Sequence, residues 1–131
     1  MALALDASVA VAWSFADESP KASQVLARLH DEEAVVPTLW WFEVRNALIM
    51  SERRGRLTEA ATAASLRDLS DLRILIDPAP DEQALLTLSR QHRLTVYDAA
   101  YLELAKRERI PLATLDTALI RAARAEKVAL V

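Results

Sequence analysis

"ALALD", residues 2–6, decides how this sequence is read. The run is too short for a helix and apolar throughout, the mark of a strand buried on both faces, and it ends on a carboxylate. "IPLATLD", residues 110–116, is a second run of this kind and also ends on an aspartate. Between them lie "AVVP" (34–37) and "RILID" (73–77), the latter halted by Pro78, and "VALV" (128–131) closes the series. Helical patterns fill the intervals. Pro20 opens a helix to about His30 with Ser19 as its N-cap, and another runs from about Thr38 to Arg54 until Gly55 stops it. Further helices are expected from Thr58 to about Leu72, from a cap at Asp81 to about Gln91, from Thr95 onward, and over 117–126. Short apolar strands alternating with helices predict an α/β sandwich with a mainly parallel sheet.

The chain has 131 residues, of which 53% are hydrophobic, enough for one domain over 1–131 with a sizeable core. It has no Cys, so neither a disulfide framework nor a thiolate metal site is available, in keeping with a reducing cytoplasm. The leading segment is interrupted by Asp6 and lacks basic residues, unlike a secretory signal. No uncharged apolar run approaches the roughly 20 residues of a membrane span. Sixteen basic and nineteen acidic residues give a net charge of −3, so nucleic-acid binding would need a local surface rather than overall attraction. A single glycine excludes a glycine-rich phosphate loop.

Four carboxylates stand where a soluble domain has no simple use for them. Asp6 and Asp116 sit at the carboxyl ends of apolar strands, where ligand crevices form in open α/β sheets. If those strands are neighbours, both carboxylates share one crevice. Glu43 and Asn46, three residues apart, share a narrow polar stripe bordered by Phe42 and Ile49 on one side and Trp40 and Ala47 on the other. Arg45 and Glu52 read as the solvent side of that helix. In "TVYDAAYLELAKR" (95–107), winding at about 100° per residue groups Glu103, Lys106 and Arg107 as the solvent face. Asp98 then falls among Tyr101, Leu102 and Ala105.

Each carboxylate also has a local reading. "TVYD" fits a capping box, Asp116 reads equally as the N-cap of the last helix, and Asp6 as the cap of a short helix from Ser8. Glu43 has no capping role. Clustered acids repel one another and raise their pKa values unless a cation offsets them, and Mg²⁺ or Mn²⁺ suits an all-oxygen set. Ser8 and Thr114, each two residues from an aspartate, can steady a carboxylate or a bound water; helix capping is the simpler role for Ser8. His30 and His92 stand alone near helix ends and read as surface residues, so zinc is not expected. Arg45, Arg53, Arg54 and Arg56 gather around one helix end, as a solvated face or a hold on a phosphate backbone. Trp13, Phe15, Trp40 and Trp41 read as core or partner-facing, and the segments 13–15 and 39–42 as walls of one partner groove.

In "LALDAS", "FEVRNAL", "YDAAYLELA" and "TLD", the residues Asp6, Glu43, Asp98 and Asp116 resemble the four acidic motifs of PIN-domain proteins. The nearest likeness is to the VapC-type toxins of toxin–antitoxin pairs. The motifs keep the family's order along essentially the whole chain, with Asn46 after Glu43 and Thr114 before Asp116. The resemblance implies a three-layer α/β/α fold with four to five short strands. It also implies a Mg²⁺- or Mn²⁺-dependent endoribonuclease, a homodimer, and a VapB-type antitoxin as partner. Asp6, Glu43, Asp98 and Asp116 would then hold the metal, with Ser8, Asn46 and Thr114 in support. One departure stands out: "AEKVALV" lacks the glycine that family members often carry before the last strand.

Two rivals remain in view. Phosphatase-like and phospho-receiver folds also place Asp at a strand end, but they need a second nearby acid and a downstream Lys, whereas Ala7 and Ser8 follow Asp6. A PIN scaffold used only for binding RNA or protein would be expected to have lost one or more of the acids, and all four are present.

Overall fold

The computed structural model describes residues 1–15 and 19–131. β1 (Ala2–Leu5), β2 (Glu33–Pro37), β3 (Ile74–Asp77) and β4 (Leu112–Ala113) form one sheet in the order β3-β2-β1-β4. Every pairing is parallel: Ala4 lies opposite Val35 on one side and Leu112 on the other, and Val36 lies opposite Ile76. Leu3 and Leu5 of β1, Val36 of β2 and Leu112 of β4 are fully buried, as strands covered on both faces demand.

Parallel strands need crossovers, and helices supply them. α1 (Ala7–Ala12), α2 (Pro20–Arg28), α3 (Leu39–Arg53) and α4 (Glu59–Ser70) pack together as one group. α5 (Glu82–His92), α6 (Val96–Glu108) and α7 (Thr117–Ala125) make the other, with α6 against β1, β2 and β4. The result is the expected three-layer α/β/α arrangement. Capping follows the sequence: Ser19 accepts from Ala22 N–H, Thr58 from Ala61, Asp81 from Ala84 and Thr95 from Asp98.

Three expectations change. Glu103 is buried, not solvent-facing, because the sheet and the helices α5 and α7 enclose α6: all seven residues from Ala99 to Ala105 are buried. Its charge is met by Arg107, whose guanidinium donates to Glu103 (2.7 and 3.1 Å) and to Asp77 at the end of β3 (3.2 and 2.8 Å). His92 is not a solitary surface residue, since its Nε2 lies 2.6 Å from Glu126 Oε2, while Lys106 pairs with Oε1 of the same carboxylate. The fifth strand reduces to a single bridge between Leu112 and Leu130. The turn before it carries Lys127 at φ 58°, the left-handed conformation a glycine would take without strain. No helix of the described residues is long and apolar enough to cross a membrane.

Candidate active site

β1 and β4 are direct neighbours, so Asp6 and Thr114 emerge side by side at the carboxyl end of the sheet. Asp6 occupies the N-cap position of α1, yet its carboxylate makes no cap hydrogen bond. It instead accepts at Oδ2 from Ser8 Oγ (2.7 Å) and Thr114 Oγ1 (2.6 Å). Both hydroxyls are fixed in turn, because Ser8 Oγ accepts from Leu115 N–H and Thr114 Oγ1 from Asp116 N–H, each at 3.1 Å. Ser8 thus holds Asp6 and the β4–α7 turn together, rather than simply capping a helix. Asp116 caps α7 through Ala118 N–H at 3.3 Å, so its local reading holds and the position still brings its charge to the cleft.

Glu43 reaches the same place from α3. One of its oxygens accepts a short hydrogen bond from the hydroxyl of Tyr101, a fully buried residue on α6. Asp98 lies one turn earlier on α6, and its backbone N–H donates to Thr95 Oγ1 at 3.1 Å, which supplies one half of the capping box. Asn46 is exposed one turn beyond Glu43, with no hydrogen bond to the carboxylates among the described residues.

The electrostatics tie these groups into one site. Burial pushes the Asp6 carboxyl up, the Thr114 and Ser8 hydroxyls oppose that, and Asp116 adds to the rise. Burial also raises Glu43, against the Tyr101 hydrogen bond and with help from Asp6 and Asp98. Asp98 is raised by burial, then by Asp116 and Asp6. The Tyr101 hydroxyl is held far above its ordinary value by burial first and by its bond to Glu43 second. None of the described ion pairs involves Asp6, Glu43, Asp98 or Asp116.

This donor set suits a hard divalent cation, since it consists of carboxylates and hydroxyls with no competing base. Among the described residues no three His, Cys, Asp or Glu side chains are already drawn into a cage. Like charges in one cleft repel, and a bound cation would offset that repulsion.

The surroundings differ from expectation in two respects. Phe42 and Ile49 border the polar stripe of α3 but are 70% and 40% exposed, so this border faces outward in the single chain. Among the described residues, the segments 13–15 and 39–42 border different hollows. Phe15 faces a groove between α1 and the second half of α3 that begins at Ser8 and Leu115 and ends at Arg54 and Arg56. Trp40 and Trp41 line a separate hollow against α4 and β3. Arg45 is stacked on Trp41, 3.8 Å from the ring centre, and leaves the basic cluster at the helix end to Arg53, Arg54 and Arg56. Sequence reasoning missed Tyr101. The available signal was a phenol on the buried face of a helix, one turn from Asp98, because a buried hydroxyl needs a partner.

A PIN domain family model matches residues 3–125. The chain is 35% identical over 92 residues to Exonuclease VapC9 of Pyrobaculum aerophilum, spanning 70% of this chain and 68% of that protein. Its fold superposes on the crystal structure of PAE2754 from the same organism with a TM-score of 0.76 at 22% identity, covering 99% of this chain and 88% of that one. It also superposes on VapBC2 from Rickettsia felis, crystallised with a DNA fragment from their promoter, with a TM-score of 0.70 at 16% identity and coverage of 100% and 98%. Sequence motifs, layer order and relatives agree, and the chain belongs to the PIN-domain family, in its VapC-like branch.

Proposed function

We propose that this protein is the nuclease toxin of a VapBC-type toxin–antitoxin pair, an endoribonuclease that requires Mg²⁺ or Mn²⁺. The observation that carries the reading is Asp6: a buried carboxylate, held by two hydroxyls, unpaired with any described cation, and coupled to Glu43, Asp98 and Asp116. That is a costly arrangement for a merely structural acid. A bound divalent ion would supply charge neutralisation at the scissile phosphate and a water of lowered pKa.

The chain's own residues prepare the cleft for this chemistry. Ser8 and Thr114 fix Asp6 through Oδ2, and neither hydroxyl occupies Oδ1. The Ala118 N–H orients Asp116, and α6 delivers Asp98 from the opposite side. No side-chain nucleophile is required, in keeping with a chain that has no Cys. An antitoxin of the VapB type would cover the α1–α3 groove leading from Ser8 to Arg54, and a homodimer would cover the exposed Phe42 and Ile49.

The test is cleavage of linear and circular RNA by the purified protein in Mg²⁺, Mn²⁺ or EDTA. Metal-dependent cutting of both forms supports the reading. Cutting of the linear form alone would make the enzyme an exonuclease, the word in the name of its Pyrobaculum relative. A protein that neither binds Mn²⁺ in calorimetry nor cuts any RNA would be a PIN scaffold used for binding.

A further inference from the structure

We propose that Tyr101 is a positioning residue that orients the Glu43 carboxylate toward the divalent cation, an inference that rests on the metal-dependent reading above. Glu43 stands on α3, in one helical layer, and Tyr101 on α6, in the other. Their hydrogen bond joins residues 58 apart in sequence and links the two layers next to the carboxyl ends of the strands.

The donor is rigid and the acceptor is not. Tyr101 is fully buried in the stretch Ala99–Ala105, every residue of which is buried, and a phenol turns about only two side-chain bonds. Glu43 is half-buried with three rotatable bonds, and no other described hydrogen bond fixes its carboxylate. The hydroxyl engages Oε1, and no described hydrogen bond occupies Oε2, which stays available to a cation. Outer partners of metal ligands commonly govern metal affinity in this way, because they fix the ligand before the ion arrives.

Tyr101→Phe removes the hydroxyl and keeps the ring. Mn²⁺ binding to the purified full chain is measured by calorimetry, beside thermal melting in EDTA. The variant is expected to melt within about 6 °C of wild type, the scale of one lost hydrogen bond, and to bind Mn²⁺ about 10-fold more weakly. Its cleavage rate should recover in part as Mn²⁺ is raised. A folded variant with wild-type affinity overturns the proposal while leaving the nuclease reading intact. Wild-type protein that binds no Mn²⁺ overturns both.

A second measurement needs no change at position 101. In wild-type protein carrying 3-fluorotyrosine, saturating Mg²⁺ should shift the Tyr101 fluorine resonance, and Glu43→Gln should reduce that shift. An unmoved Tyr101 signal at saturation also overturns the proposal.

Discussion

Asp98→Asn removes one negative charge from the cleft and preserves side-chain shape. The Thr95 cap of α6 survives, because the donor is the backbone N–H of residue 98. The variant loses a carboxylate near a helix N-terminus, a favourable interaction of about 0.3–1 kcal/mol. It also loses the burial cost and the repulsion from Asp116 and Asp6, which raise the Asp98 pKa in the folded protein. These effects oppose one another at similar size, so the net change in EDTA at neutral pH is within about 1 kcal/mol, or about 4 °C in Tm. The pH dependence has a definite sign. A raised carboxyl pKa means the folded state binds the proton more tightly than the unfolded chain, so wild type is penalised at high pH and relieved as pH falls through the raised folded value, fully so below about 3.9. The melting temperature of Asp98→Asn relative to wild type should therefore rise with pH through the carboxylate range. With Mn²⁺ the order reverses. Wild type gains about 2.7 kcal/mol at a hundredfold excess over Kd, the variant gains far less, and RNA cleavage is lost. The assay is differential scanning fluorimetry across pH in EDTA and in Mn²⁺, paired with RNA cleavage. A drop of more than about 8 °C in EDTA would show that the Asp98 carboxylate serves the fold, and unchanged Mn²⁺ stabilisation would show that it does not serve the metal.

Thr114→Val takes one of two hydroxyl donors from buried Asp6 and an acceptor from Asp116 N–H, and urea unfolding should register a loss of about 1–3 kcal/mol together with reduced cleavage. Arg107→Ala strands the buried Glu103 carboxylate and frees Asp77, at a cost of about 1–3 kcal/mol; adding Glu103→Leu should recover most of it, and failure to recover would place the value of Arg107 in Asp77 alone. Lys127→Gly relieves the left-handed backbone before Val128, and chemical denaturation should show a gain of about 0.5–1 kcal/mol, with a loss indicating that the turn tolerates lysine without strain.

The strands were legible because a sheet covered on both faces leaves nothing but short apolar runs, and "ALALD" and "AVVP" have no helical alternative. The caps were legible because Ser19, Thr58, Asp81 and Thr95 each stand before a helix whose orphan N–H groups need them. α1 was harder: six residues hold too little periodicity to separate a helix from a continuing strand end. Glu103 misled because a helical wheel assumes one solvent face, whereas α6 is enclosed on three sides and meets its charge through Arg107. The four acids were visible as residues out of place. Their mutual geometry was not, because α3, α6 and the β1–β4 edge meet only in three dimensions, and Tyr101 was hidden for the same reason.

The β1–β4 pairing also has a consequence for the order in which the molecule becomes complete. Asp6 and its partner Thr114 stand 108 residues apart in the chain. Contacts that span so much chain form late in folding, after the local helices. Until residues 112–116 dock beside β1, Asp6 lacks Thr114, Ser8 lacks Leu115, and Asp116 is nowhere near the cleft. A chain not yet extended past residue 116 cannot assemble the cleft. The proposed nuclease would thus lack its cleft until the two distant parts of this domain have met, leaving a binding partner an interval in which to arrive first.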